Sequence, residues 1–196
     1  MHGLINRSIQ SFVSQTYGSS VWQEIAQDVD LPEHGFEAML EYDDHITHRM
    51  LDAVALQLDK SRANVLEDVG TFLVSNPKTH AIRRLLRFGG ETFVEFVSGL
   101  DDLPNRVGLA VPEMQFPQLE TFEVRPGEVS VHLTGADPEF GFVLMGILRT
   151  MADDYGSLVF LEHESNDKNE AILTIKMLDT AFSEGNAFTL AEGITV

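Results

Sequence analysis

Cysteine is absent from this 196-residue sequence, which removes several kinds of chemistry at once. Without a thiol the chain can form no disulfide, offer no thiolate to a metal and use no cysteine nucleophile. The sequence also lacks an apolar run long enough to span a membrane, and its first residues do not pair a basic segment with an apolar one. We therefore expect a cytoplasmic protein.

Basic residues are scarce, since 13 lysines and arginines face 31 aspartates and glutamates, for a formal net charge of -18. Binding to a polyanion needs clustered lysine and arginine side chains, so nucleic acid and anionic membranes are not expected partners. An acidic surface of this kind is typical of solubility rather than of recognition.

Apolar residues recur every three or four positions through the first half of the chain, as in helices with one buried face. A first helix carries Ile5, Ile9 and Phe12, and others are predicted near residues 21–29, 46–58 and 65–73. Asn76-Pro77 and Gly89-Gly90 interrupt the pattern. The last helix is predicted over residues 91–108, and its buried stripe brings Pro104 onto the face that carries Phe96 and Leu100.

The second half alternates instead between apolar and polar residues, the period of half-buried strands. Val129, Val131 and Leu133 belong to a hairpin whose turn is Pro126-Gly127. A helix over residues 142–155 and two strands over 157–162 and 171–177 follow. The order, helices and then ββαββ, predicts an α+β domain over residues 1–178, and residues 179–196 are expected to form a tail or a short extra element.

Several short motifs carry a family resemblance. They are the opening residues 1–6, Tyr17-Gly18, Tyr42-Asp43-Asp44, Val69-Gly70-x-Phe72 and Phe93-x-x-Phe96-x-x-x-Leu100-Asp101. In this order and spacing they resemble the H-NOX, or heme-NO-binding, family. The resemblance implies an N-terminal helical subdomain, a ββαββ subdomain, heme b between them, and a signalling partner such as a histidine kinase or a cyclic-dinucleotide enzyme.

The chain departs from the family at the residues that hold heme. The family's heme-ligating histidine falls on Pro104, which has no side-chain donor for iron. The tyrosine, serine and arginine that bind the heme propionates fall on Leu133, Gly135 and Asp137, and a carboxylate in place of arginine reverses the charge that faces a propionate. The resemblance therefore implies either no cofactor or heme b held in another way.

Another way of holding heme would use His80, at a position that lies in the family's distal pocket, although a lone histidine is more often solvated. Pro117 matches a proline that presses on the heme, and Phe142 stands where oxygen-binding members have a tyrosine. The resemblance predicts a pocket built from Ile5, Asn76, His80, Phe96, Leu100, Pro104, Pro117, Leu133 and Phe142.

No catalytic constellation emerges, so an enzyme is not expected; His45-x-x-His48 is interpreted as a solvated helix face rather than a metal site. Two functions remain open. One is a sensor that binds a small apolar or planar ligand between its halves, and a gas sensor that uses His80 is a variant of it. The other is a heme-free interaction protein. A sensor should keep a roomy cavity lined by Ile5, His80, Phe96, Leu100 and Phe142, whereas a scaffold should have lost it.

Overall fold

The computed structural model describes residues 1–31, 35–166, 170–186 and 188. Its helical half consists of α1 (Gly3–Thr16), α2 (Ser19–Asp28), α3 (Asp44–Gln57), α4 (Arg62–Ser75), α5 (His80–Arg87), α6 (Phe93–Ser98) and α7 (Leu103–Ala110). The second half consists of β1 (Gln118–Arg125), β2 (Glu128–Thr134), α8 (Phe140–Tyr155), β3 (Leu158–Ser165) and β4 (Ala171–Asp179). The α+β prediction and the ββαββ order are confirmed.

The predicted apolar stripes of α1, α3 and α4 form one core. Ile9, Phe12, Met50 and Val65 are all buried in the same cluster, which Trp22 joins from α2. The helix starts have ordinary chemical causes, as at α4, where the Ser61 side chain accepts a hydrogen bond from the amide of Asn64 at 3.2 Å. The N-terminal helices therefore pack by the period that their sequence shows.

The four strands form one antiparallel sheet in the order β1-β2-β4-β3. Val129, Val131 and Leu133 pair with residues of β4 and are buried on the sheet face covered by α8. The opposite face carries apolar side chains that stay largely exposed: Phe122, Val124, Phe160 and Leu178. His132 lies on that outer face beside Phe122, with ring centroids 4.8 Å apart.

The two halves meet where α4 crosses α8, and glycine makes the crossing unusually close. A β-carbon on Gly70 of α4 would lie 2.1 Å from the carbonyl oxygen of Val143 in α8. One on Gly146 of α8 would lie 2.0 Å from the carbonyl oxygen of Glu67 in α4. The backbones are therefore in direct contact, and neither position has room for a side chain.

The prediction of one helix over residues 91–108 is wrong, because the chain forms two shorter helices there. α6 ends at Ser98, a single 3-10 turn covers Leu100–Asp102, and α7 begins at Leu103. Pro104 is the cause, since it has no amide hydrogen for an α-helical bond and its ring would clash with the carbonyl of residue 100. Proline is tolerated in the first turn of a helix, and Pro104 lies in the first turn of α7.

The segment after β4 packs back onto the domain as far as it is described. The amide of Ser183 donates to the carbonyl of Gly156 at 3.0 Å, and the amide of Asn186 donates to the carbonyl of Asp154 at 2.9 Å. Residues 187 and 189–196 of the predicted tail lie outside the described residues. Across the described part of the chain, no helix combines the length and the apolarity that crossing a membrane requires.

Candidate ligand pocket

A partly open cavity of about 100 Å³ lies at the junction of the two halves. Its walls come from α1, α3 and α4 on one side, and from α8 and the segments before β1 and α8 on the other. Most of the lining is apolar, and includes Ile5, Ile9, Leu51, Leu66, Phe140 and Val143. Any molecule held there would touch both halves at once.

Two of the pocket residues predicted from the sequence line this cavity. Ile5 contributes from α1, and Pro117 contributes from the end of the segment that precedes β1. They are 112 positions apart in the printed sequence and come together because α1 faces the sheet side of the junction. Residues from the two ends of the sequence therefore line one cavity.

Phe96, Leu100 and Leu133 lie elsewhere, in the core cluster between the sheet and α8. Phe96 and Leu100 are fully buried, and Leu133 is 4% exposed. Pro104 is half-buried in the first turn of α7. Phe96, Leu100 and Leu133 fill the core together with residues of α8, and none of the four residues lines the cavity.

Phe142 also packs rather than lining the cavity. Its ring stacks on His163 with centroids 4.0 Å apart, and it packs against both core clusters. Nε2 of His163 lies 3.3 Å from the carbonyl oxygen of Pro138. The aromatic pair holds the start of α8 against β3, which accounts for a histidine to which the sequence assigned no chemistry.

His80 and Asn76 form the α4–α5 junction on the surface. His80 is exposed, and its Nδ1 lies 3.2 Å from the carbonyl oxygen of Pro77. The side chain of Asn76 accepts a hydrogen bond from the amide of Lys78 at 2.8 Å and so caps the intervening 3-10 turn. Neither side chain lines the junction cavity.

Charged side chains surround one end of the cavity. Arg62, at the start of α4, donates from Nε to Glu139 at 3.0 Å and from a terminal nitrogen to the second oxygen of that carboxylate. It also donates to Asp52 at 2.7 Å. The bonds to Glu139 raise the pKa of the Arg62 guanidinium, against the opposing effect of partial burial. We call this group the Arg62 latch, because it joins α3 and α4 to the N-terminus of α8.

His48 belongs to the same end of the cavity. With Asp137 and Glu139 it forms a group whose potential metal-binding atoms lie within 4.8 Å of one another. However, Nδ1 of His48 lies 3.0 Å from a donor nitrogen of Arg62, so Nδ1 accepts and the ring proton is on Nε2, which faces Asp137 at 3.8 Å. A metal would need the Nε2 lone pair, and Arg62 already holds Glu139. The arrangement therefore suits an ion-pair latch better than a metal ion.

Sequence reasoning missed the Arg62 latch, since Arg62 and Glu139 are separated by 77 residues. His48 was interpreted as part of a solvated helix face, and Arg62 had no motif to mark it. The one available signal was Asp137, at a position where the resembled family carries arginine. A carboxylate there puts a negative charge at the end of the cavity where the resembled family has a positive one.

Replacing Arg62 with alanine is expected to destabilise the protein by about 1–3 kcal/mol, because it removes charge-assisted bonds to a half-buried carboxylate. Arg149→Ala is a matched control. Arg149 of α8 also forms an ion pair with α4, through Glu67 at 2.6 Å, but its side chain is 56% exposed. The control should cost at most about 0.5 kcal/mol. Equal losses for the two variants in urea unfolding would show that Arg62 is only a surface contact.

Comparison with known proteins gives a consistent result. The Haem-NO-binding family matches residues 2–163. The soluble guanylate cyclase gcy-31 of Caenorhabditis elegans is 22% identical over 173 residues, or 85% of this chain and 24% of its own length. The soluble guanylate cyclase gcy-32 of the same organism is 25% identical over 160 residues, covering 78% of this chain and 23% of its own length. The chain thus spans about a quarter of the length of these relatives.

Solved structures share the fold at low identity. An H-NOX protein from S. oneidensis in the Fe(II) ligation state, carrying three substitutions, has a TM-score of 0.77 at 18% identity, and covers 96% of this chain and 100% of its own. An oxygen-binding H-NOX domain related to soluble guanylate cyclases has a TM-score of 0.68 at 17% identity, with 95% of this chain and all 100% of that domain covered. By sequence match and by fold, the chain belongs to the Haem-NO-binding, or H-NOX, family.

Proposed function

We propose that this chain is a non-catalytic sensory or regulatory module of the H-NOX family that does not use histidine-ligated heme. The observation that carries the proposal is the junction cavity, whose walls come from both halves. A ligand in it favours whichever arrangement of the halves contacts it better, and this differential contact is what shifts a population. The signal is a change in how the helical half sits on the ββαββ half.

Family members bind heme, but three features of this chain do not suit it. Pro104 offers no donor for iron where the family places its ligand. Asp137 and Glu139 put carboxylates, and not a propionate-binding arginine, at the polar end of the cavity. The cavity measures about 100 Å³, whereas pockets for drug-sized ligands measure about 300–1,000 Å³, and heme is no smaller than such ligands.

The relatives suggest how such a module is used. They are guanylate cyclases several times longer than this chain, and the shared part is the Haem-NO-binding domain. We propose that the chain likewise acts on a signalling protein, either a separate histidine kinase or a cyclic-dinucleotide enzyme. We propose that this interaction takes place in the cytoplasm.

Hemin titration tests the proposal directly. We expect the purified protein to give only the broad, weak absorption of loosely bound hemin, with no sharp Soret band and no shift when nitric oxide is added. The H-NOX protein of S. oneidensis serves as the positive control, and Pro104→His tests whether the missing donor alone prevents ligation.

A sharp Soret band at one heme per chain would contradict the proposal. If His80→Ala then abolished that band, the gas-sensor alternative with a non-standard ligand would replace it. If His80→Ala left the band unchanged, heme would be held by another group, and the module would still be a heme protein.

The second candidate is an interaction scaffold without any ligand. It is favoured by the outer face of the sheet, where Phe122, Val124, Phe160 and Leu178 are 48–62% exposed. Clustered exposed apolar side chains commonly mark protein-binding surfaces. The two candidates differ in their response to small molecules. A scaffold keeps the same arrangement of its halves whatever molecule is added, whereas a sensor changes that arrangement when its ligand binds.

A further inference from the structure

We propose that the groove between α5 and α7 is a docking surface for an amphipathic helix of a partner protein, one whose apolar stripe is flanked by aspartates and glutamates. This rests on the proposed function, because it names the surface through which the module contacts its signalling partner. The groove is separate from the junction cavity, and none of the described residues lines both.

Both walls of the groove are helix faces. The lining side chains recur at the three-and-four spacing of a single helix face on each wall: Ala81, Arg84, Leu85 and Phe88 from α5, and Arg106, Leu109 and Ala110 from α7. The groove is open to solvent and has a volume of about 800 Å³. A small molecule in such an open groove would stay largely exposed, whereas a helix can lay one face along it.

Two of the lining side chains are large, apolar and mostly uncovered. Leu109 is 86% exposed and Phe88 is 72% exposed, and among the described large apolar residues only Leu56 is comparable, at 85%. Covering them with a partner is favourable, because removing apolar surface from water drives most protein association. A leucine on one wall and a phenylalanine on the other are anchors of the kind that helix-binding grooves provide.

Arg106 holds the two walls in place. Its guanidinium donates to the carbonyl of Leu85 in α5 at 3.4 Å and to the carbonyl of Gly99 at 3.0 Å, and the side chain is only 15% exposed. A β-carbon on Gly89 would lie 3.2 Å from the same guanidinium, so glycine leaves room for it. The groove is therefore formed before a partner binds, which reduces the entropy that binding costs.

The charge of the groove is opposite in sign to that of the chain. Between residues 77 and 90 the sequence carries three arginines and one lysine but no acidic residue, although the formal net charge of the chain is -18. In the described part of the chain, the charged side chains that line the groove are Arg84, Arg106 and Asp102, and Asp102 forms an ion pair with Arg106 at 3.5 Å. Acidic side chains of a partner are therefore attracted here, while the net charge of the chain disfavours them elsewhere.

The α5 wall relates the groove to the other half of the molecule. Arg83 and Arg87 lie on the side of α5 away from the groove, and both bind Asp154 near the end of α8. A shift of α8 relative to the helical half therefore moves one wall of the groove. Such a shift changes how well a partner helix fits, and this difference in fit is what can pass a signal to the partner.

Two synthetic peptides of about 16 residues, long enough to form a helix, are the probes. Both carry leucine and phenylalanine on one helix face, and they differ only in having glutamates or lysines at the flanking positions. In methyl NMR titrations we expect the glutamate peptide to give saturable shifts at Leu85 and Leu109. The lysine peptide should bind there at least about tenfold more weakly, although the net charge of the chain favours it.

Variants of exposed residues locate the binding without affecting the core. Leu109→Ser and Arg84→Glu should each weaken binding of the glutamate peptide at least about tenfold. Leu56→Ser is the control for the first, because Leu56 is as exposed as Leu109 but lies on α3. Arg49→Glu makes the same charge change as Arg84→Glu at another exposed position of α3. Both controls should change binding less than about twofold.

Several results would overturn the proposal. The docking surface is wrong if the glutamate peptide gives no saturable shift, or if the groove variants and their controls weaken binding equally. Equal or tighter binding of the lysine peptide contradicts the acidic partner. Without peptide, shifts of the Leu85 and Leu109 methyl groups with protein concentration would assign the groove to a second copy of the chain. Shifts on deletion of residues 189–196 would assign it to the chain's own last residues.

The hemin titration separates this proposal from the proposed function. A sharp Soret band contradicts the proposed function and leaves the docking surface intact if the glutamate peptide still binds in the groove. Absence of peptide binding, together with a flat hemin spectrum, removes the docking surface and leaves the heme-independent module.

Discussion

Gly146→Ala is expected to destabilise the protein by at least about 3 kcal/mol, because the new methyl group would meet backbone on two sides. The added carbon would lie 2.0 Å from the carbonyl oxygen of Glu67 and 2.8 Å from the amide nitrogen of Thr71. Neither atom belongs to a flexible side chain, so α4 and α8 must move apart to make room. Urea unfolding of the variant and the unaltered protein measures the loss directly.

Gly108→Ala is the matched control for this substitution. Gly108 also lies in a helix, but a β-carbon there would meet no atom within 4 Å. Alanine should therefore stabilise the protein by about 0.5–1 kcal/mol through its better helix propensity. A loss below about 1 kcal/mol for Gly146→Ala would show that the crossing is adaptable, and would weaken the view of a rigid contact between the halves.

The close crossing bears on how the module can signal. Two helices in backbone contact at Gly70 and Gly146 cannot slide past each other without breaking that contact, whereas a pivot about it is permitted. The junction cavity and the Arg62 latch both border the same two helices. The cavity and the Arg62 latch therefore both lie close to the contact about which the two halves could pivot.

The sequence predicted most elements because periodicity is a local property. The three-and-four spacing of α1, α3 and α4 and the alternation of β2 and β4 each lie within a single segment. The break at Pro104 was visible as an oddity but was placed inside one long helix. The result is two short helices separated by a 3-10 turn. Where the break falls depends on which carbonyl would have accepted the hydrogen bond that proline cannot donate.

The candidate site was predicted only in part, because its geometry depends on distant residues. Ile5 and Pro117, which the resemblance assigns to a pocket, both line the cavity. Phe96, Leu100 and Leu133 were assigned to a pocket on the same basis, yet they pack into the core behind it. The volume left between two packed halves follows from all the side chains together, and no single motif encodes it.

Asp154→Asn is expected to destabilise the protein by about 3–5 kcal/mol, because it leaves two arginines of a buried charge cluster without their counter-ion. Asp154 is 3% exposed and accepts from Arg83 at 3.1 and 2.5 Å, while Nε of Arg87 lies 3.1 Å from it. Arg87 also stacks on the ring of Tyr155 at 4.0 Å, and burial raises the pKa of that phenol. Thermal unfolding measures the loss.

Asp153→Asn is the control, because Asp153 is adjacent on α8 but exposed, and it should change stability by less than about 0.5 kcal/mol. Asp154 also accepts from the side-chain amide of Asn186 at 3.1 Å, so the cluster holds the segment after β4 against the end of α8. Hydrogen exchange at the amides of Ser183 and Asn186 should therefore accelerate in Asp154→Asn and not in Asp153→Asn. Unchanged exchange together with full stability would mean that the arginines find other partners and that packing alone holds this segment.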